Sequence, residues 1–322
     1  MEEQKMGEVT TENPISDRSP VSLLSQVKYE HLVAGISGGV TATLILHPLD
    51  IIKTRFAVND GRGHNIPKYN GITNAFVTIY RQEGFTGLYR GVTPNMLGAG
   101  ASWGLYFLFY NALKMRLQDG NIDKPLSATQ HMICASEGGF LTLLLTNPLW
   151  VMKTRMCLQY EGAKQKYEGL VDCCMKIYRD HGARGFYKGL LPGILGVSHG
   201  AVHFMVYEEL KRNYSVYKNQ PISTKLGTIE YLAFAATSKL VAATVTFPYQ
   251  VIRTRLQNQN YSYNGVLDCV NQTWRYEGWR GFYKGLGPNL VRVIPATMIT
   301  FVTYENISHL LLNYKLNASA NA

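Results

Sequence analysis

The 322-residue chain has no run of eighteen apolar residues free of polar interruption, and its mean hydropathy is only −0.09. That excludes a simple bundle of fully greasy spans, though not helices that show one face to lipid and the other to water. Its five cysteines (Cys134, Cys157, Cys173, Cys174, Cys269) form an odd set without C-x-x-C spacing. Neither a disulfide framework nor a zinc site follows, and free thiols packed in helices are expected. Acids are short by ten against Lys and Arg, giving a net charge of +10 and a pI near 9.3. Such a balance admits nucleic acid, an anionic membrane or an anionic solute as partner. The bases do not gather in one stripe, as a nucleic-acid face requires, but recur at fixed intervals. The first 28 residues carry Glu2, Glu3, Glu8, Glu12 and Asp17, unlike an Arg-rich transit peptide. They read as a disordered tail, leaving import to internal signals. A nucleophile elbow, a P-loop and a His/acid metal set are all missing, and Gly285-Leu-Gly287 follows no strand, so it is no dinucleotide fingerprint. The expectation is a protein that is not an enzyme and holds neither metal nor cofactor.

What is present is a threefold repeat. Pro48-Leu-Asp50-Ile-Ile-Lys53-Thr-Arg55 returns as Pro148-Leu-Trp150-Val-Met-Lys153-Thr-Arg155 and as Pro248-Tyr-Gln250-Val-Ile-Arg253-Thr-Arg255, one hundred residues apart each time. About twenty largely apolar residues precede each proline. After each come Tyr-x-Gly at 69–71, 167–169 and 263–265, then Gly-aromatic-basic-Gly ending at Gly91, Gly189 and Gly285. Self-similarity of this period decides architecture before any local reading. It divides the chain into a tail (1–28), repeats at 29–124, 125–222 and 223–315, and a C-terminal tail (316–322).

Each repeat reads as two long helices joined by a short amphipathic one, such as Ile72–Tyr80 or Leu170–Tyr178. Pro48 falls inside the first span, where it removes a backbone hydrogen bond and bends the helix. Three such bends would close one end of a bundle. Gly35 and Gly39, four apart, suit close helix approach, a pattern thinned to Ala135/Gly139 and Ala235/Lys239 later. Second spans begin near Pro94, Pro192 and Pro288. The intervening connections hold sixteen Lys/Arg against eight Asp/Glu, which places them together on one side of a membrane by the positive-inside tendency and both termini opposite.

The triplicated motif resembles the mitochondrial carrier family. That resemblance implies an all-α membrane protein of six transmembrane helices in three pseudo-symmetric repeats with short matrix helices. It also implies a functional monomer in the mitochondrial inner membrane, working by alternating access. It pairs the acid of one odd helix with the base of the next: Asp50 with Lys153, Trp150 with Arg253, and Gln250 with Lys53. Only the first is an ion pair, and each unpaired cation weakens that matrix gate by about one kcal/mol. On the cytosolic side the companion motif retains Glu208 and Lys211 in repeat 2, and would pair Lys114 with Glu305. Arg90, Lys188 and Lys284, with Gly71, Gly91, Gly169, Gly189, Gly265 and Gly285, are the implied cardiolipin positions. Turn glycines beside an interfacial aromatic explain the same residues equally well.

Substrate contacts are sought where the repeats differ, since a solute lacks threefold symmetry. Four residues beyond the second-span prolines stand Gly98, Gly196 and Arg292. A mid-span arginine is a functional residue by default, here the counter-charge to an anion, with two glycines leaving room for something bulky. Lys239, fourteen residues before Arg253, returns to the gate face. Trp150, Trp103 and Tyr106 offer flat rings for a planar anion, the latter two equally serving packing. His199 and His203 are equally interhelical donors or ligand contacts, and Glu137 is expected to bond a neighbouring helix. Within the family, Asn147-Pro-Leu-Trp150, Trp103-Gly-Leu-Tyr106, Pro248-Tyr-Gln250 and Gly196–Gly200 resemble members that carry folate (tetrahydrofolate) or FAD. NAD and pyrimidine nucleotides fit the same cavity, and a scaffold using the fold without transport is the rival from another class.

Overall fold

The computed structural model describes residues 29–60, 67, 69–118, 125–160, 167–196, 198–219, 227–259 and 263–320. The expected N-terminal tail lies outside them. Among the described residues there are helices and no strands. Repeat 1 contributes α1 (Tyr29–Val58), α2 (Ile72–Gly87) and α3 (Val92–Leu117). Repeat 2 contributes α4 (Ala128–Cys157), α5 (Leu170–His181), α6 (Leu190–Leu195) and α7 (Ser198–Tyr217). Repeat 3 contributes α8 (Thr228–Val245), α9 (Phe247–Gln257), α10 (Val266–Glu277) and α11 (Leu286–Ala320).

Long helices pair across repeat boundaries: α3 on α4, α7 on α8, and α11 back on α1, closing a ring. Three stretches are long and apolar enough to cross a membrane by length and composition, Val33–Val58, Ala183–Tyr217 and Val266–Leu311. Phe204, Met205, Met298 and Phe301 are each at least 60% exposed, apolar surface that suits lipid rather than water.

Pro48 and Pro148 lie inside continuous helices, whereas in repeat 3 the chain breaks at Thr246 and restarts with Pro248 in the first turn of α9. Proline is tolerated there because its missing N–H would have no partner anyway. The second span of repeat 2 is broken too, at Gly196, in a stretch that also holds Gly193 and Gly200, weak helix formers. α11 continues to Ala320, past the boundary at 315 where a tail was expected, because no glycine or proline interrupts it there.

The close helix approach falls one residue away from the glycines expected to make it. Gly35 and Gly39 have no neighbour within 4 Å of a would-be Cβ, whereas a Cβ on Gly38 would stand 2.8 Å from the Thr300 carbonyl of α11. Gly138 likewise meets the Tyr110 backbone of α3 at 3.2 Å, and Ser238 is fully buried. The stripe that sets the odd helices against their neighbours is therefore Gly38, Gly138 and Ser238.

The buried apolar core gathers at the proline end, here called the narrow end. Ile51, Ile52, Ala75, Ile79 and Leu88 form one cluster there, and Val151, Cys173 and Ile177 another. α9 packs on both α1 and α4, while α8, its wide-end half, packs on α7 and α11. Of the cysteines, Cys174 is exposed and the other four are buried and free.

Candidate functional site

Proline placement brings the eight-residue motifs together at the narrow end, around a cavity of about 270 Å³ between α1, α4 and α9. Lys53, Trp150, Lys153, Gln250 and Arg253 line it. Lys53 Nζ donates to Gln250 Oε1 at 3.1 Å. Arg253 Nη2 donates to Asn147 Oδ1 at 3.2 Å, one turn before Trp150. Asp50 differs from its expected partnership. Its Oδ1 lies 2.9 Å from Arg292 Nε, and its Oδ2 accepts from Asn95 Nδ2 at 3.2 Å. No ion pair joins Asp50 to Lys153 among the described residues, although Lys153 stands near enough to act on its charge. The Arg292 contact is an ion pair without hydrogen-bond alignment, for Nε directs its proton at no acceptor. Such a contact is readily exchanged.

Arg292 therefore faces the inside of the ring and touches the gate acid. Lys239 Nζ donates to Thr297 Oγ1 at 3.2 Å, close enough to Arg292 for the two charges to interact. The room that Gly98 and Gly196 leave is taken by the protein's own rings. A Cβ on Gly98 would stand 3.6 Å from the Trp150 indole, and one on Gly196 would stand 3.2 Å from the Tyr249 hydroxyl. These glycines seat the ring of the next odd helix, which a sequence comparison limited to one helix at a time misses. His199 Nδ1 meets Thr246 Oγ1 at 2.9 Å, and Thr246 gives its own proton to the Ala242 carbonyl, so His199 is the donor between helices. Trp103 is 66% exposed and stacks on Phe107; Tyr106 stacks on Tyr110, whose hydroxyl meets His131 Nδ1 at 2.8 Å. Glu137 is exposed, with no hydrogen bond or ion pair among the described residues; it sits beside the Gly138 contact rather than in it.

The wide end is different. Lys114, Glu208, Lys211 and Glu305 form no ion pair among the described residues, and Glu305 is exposed. The narrow end is closed and the wide end is not.

Below the gate the second basic residue of the motif anchors a corner in repeats 1 and 3. Arg55 is fully buried; its Nη2 meets Glu83 at 2.9 Å and the Gln159 carbonyl of the next repeat at 2.8 Å, and its Nε meets the Cys157 carbonyl at 3.2 Å. Arg255 repeats this with Glu277 at 2.9 Å and the Ala57 carbonyl at 3.0 Å. Arg90 and Lys284 bind the same two glutamates, at 2.7 and 2.6 Å. Gly91, Gly189 and Gly285 start the following helices with φ of 81°, 75° and 91°. A Cβ at these three would stand 3.0, 3.0 and 2.7 Å from the carbonyls of Lys153, Arg253 and Lys53. Each glycine thus admits a left-handed turn and direct contact with the gate segment of the next repeat. Lys188 and Gly189 also border a surface cavity of about 400 Å³ shared with Tyr263 and Gly265 of repeat 3. Gly71 and Gly265, both at positive φ, and Gly169, extended, precede α2, α10 and α5.

A threefold ring of bent helices, closed at one end around buried cations, defines a multi-pass membrane carrier. A family profile described as "Mitochondrial carrier protein" matches residues 26–121, 124–218 and 224–315, and the chain belongs to that family. It is 43% identical to folate transporter 1, chloroplastic, of Arabidopsis thaliana over 296 residues, covering 88% of this chain and 96% of that one. Nicotinamide adenine dinucleotide transporter 1, chloroplastic, from the same plant is 35% identical, covering 87% and 91%. Solute carrier family 25 member 36-A of Danio rerio is 32% identical, covering 87% and 97%.

Proposed function

We propose that the protein carries folate, or FAD, across the mitochondrial inner membrane into the matrix by alternating access. The observation that carries this is Arg292, a mid-span cation facing the inside of the ring with Lys239 nearby, whose one ion pair among the described residues is a misaligned contact to Asp50. A pteridine or flavin ring carrying carboxylate or phosphate groups matches such a site, with Trp150 at hand for stacking. The 43% identity to a plant folate transporter supports the same substrate class. The narrow end is the matrix gate and the wide end the cytosolic one, with both termini on the intermembrane-space side.

The mechanism follows from Asp50. An incoming anion competes with it for Arg292, and the carboxylate released must find another partner as the narrow end rearranges. Substrate binding is thereby coupled to the gate through one exchanged ion pair, and rocking of the repeats moves the opening from one side to the other. Cardiolipin sits in the surface cavity between repeats 2 and 3, its phosphates at the backbone turns of Gly189 and Gly265, and the carrier works as a monomer.

Uptake into liposomes holding the purified protein tests this. Saturable entry of labelled folate, reduced by unlabelled FAD, is expected; no saturable uptake of any cofactor or nucleotide would refute transport. Arg292→Ala is expected to abolish uptake while the protein remains folded, and wild-type uptake in that variant would remove Arg292 from the site. A second reading, NAD, is favoured by the 35% identity to a plant NAD transporter, and uptake of NAD without folate would establish it.

A further inference from the structure

The three corners are not alike. The position held by Glu83 in repeat 1 and Glu277 in repeat 3 is held by His181 in repeat 2. The equivalence is geometric, because each side chain leans on the glycine four residues later, Gly87, Gly185 and Gly281 in turn. In corners 1 and 3 the carboxylate is buried and bridges two cations, Arg55 with Arg90 and Arg255 with Lys284. In corner 2 the corresponding cations are Arg155 and Lys188, and no carboxylate joins them among the described residues.

Arg155 is 1% exposed, and its Nε and Nη2 have no hydrogen-bond partner. Their counterparts on Arg55 bind carbonyls of the next repeat and Glu83. Arg155 keeps a side-chain hydrogen bond with Tyr167, but its other two nitrogens lack the carbonyl and carboxylate acceptors that Arg55 has, so its buried charge is only partly compensated. Lys188 and His181 both lie within electrostatic reach of it. Asp180 stands 3.5 Å from Arg179 and within electrostatic reach of His181 and Tyr167, but among the described residues it forms no ion pair with Arg155 or Lys188. The imidazole itself is exposed, so it does not fill the place that the two buried glutamates occupy.

We infer that the repeat 2 corner, where Arg155 and Lys188 meet beside a His181 that replaces the glutamate, is a binding site for a small phosphate-class oxyanion, which supplies in trans the negative charge that Glu83 and Glu277 supply in cis. The planar fork of Arg155 suits two oxygens at once, and Lys188 adds a point charge. The site is separate from the solute path, since it lies on the far side of the gate from Arg292. Phosphate oxygens also occur on lipid headgroups. The place to be filled, however, is one that a single carboxylate fills in the other corners, which favours the free ion.

Thermal unfolding of the full-length protein in lipid-free detergent tests this, with inorganic phosphate titrated against sodium chloride of equal ionic strength. Phosphate at ten times its dissociation constant is expected to raise the unfolding temperature by about 3 °C. His181→Glu, which restores the carboxylate, is expected to unfold at higher temperature without phosphate and to lose the phosphate shift. His181→Gln, which adds no charge, is expected to keep the shift, and it serves alone if His181→Glu does not fold. No shift in the wild type, an undiminished shift in His181→Glu, loss of the shift in His181→Gln, or stabilisation by cardiolipin but not by phosphate would each overturn the inference.

Discussion

The two ends of the bundle are built from the same kinds of residue and behave oppositely. At the narrow end, charged side chains are buried, each guanidinium of corners 1 and 3 ties an acid to a carbonyl of the next repeat, and the gate side chains reach partners. At the wide end, Lys114, Glu208, Lys211 and Glu305 form no ion pair among the described residues. The difference lies in what surrounds the charges. Where backbone carbonyls from a neighbouring repeat converge on a guanidinium, removing either partner strands the other in a dry site. Where water reaches both groups, their attraction is screened. Stability in this state therefore resides in one end, and the other is free to close.

The sharpest way to break that contrast is at a corner. Arg255→Ala leaves Glu277 buried beside Lys284 alone and is expected to cost about 3–5 kcal/mol in thermal unfolding; a cost below about 1 kcal/mol would mean that the corner does not hold the narrow end. Next comes Gly285→Ala. Its left-handed backbone disfavours a side chain by about 1–2 kcal/mol, and contact with the Lys53 carbonyl adds to this. Unaltered stability would show that the turn can relax away from the gate.

Acid sensitivity separates corner 2 from its fellows. Partial desolvation, then Lys188 and Arg155, hold the His181 imidazole below its ordinary value of 6.5, against an opposing pull from Asp180. Between the lowered value and 6.5 the unfolded chain binds more protons, so stability should rise with pH across that window and be lost as pH falls through it. Unfolding followed from pH 7 downward in phosphate-free buffer should show the slope, and His181→Gln should flatten it. The smallest effect is expected at the wide end, where Glu305→Gln should change unfolding by less than about 0.5 kcal/mol. A larger loss would reveal a bridge there and erase the contrast.

Much of this was legible in the chain. Motifs one hundred residues apart, each with a proline after an apolar stretch, suffice for three helix pairs and for the side on which they converge. The meeting of Lys53 with Gln250 follows from the order of repeats around a ring. The Asp50–Arg292 contact does not, because it joins an odd helix to an even one, and the motif relates odd helices only to each other. The occupants of the space beside Gly98 and Gly196 were hidden for a similar reason, since a small residue in one helix says nothing of which neighbour fills it. Gly38, Gly138 and Ser238 also recur every hundred residues, but the more familiar spacing of Gly35 and Gly39 drew attention from them. Corner 2 was available as well: the residue before Gly84, Gly182 and Gly278 reads Glu, His, Glu, and that odd member marks the corner whose arginine keeps two nitrogens without acceptors.

The packing of α11 on α1 has a consequence for how the molecule can be made. The seam between the last helix and the first is of the same kind as the two seams inside the chain, down to a glycine pressed on a backbone carbonyl, Gly285 on Lys53. Where translation starts is thus arbitrary with respect to the ring. A circular permutant beginning at the second repeat would assemble the same barrel of helices, its final seam falling between α3 and α4.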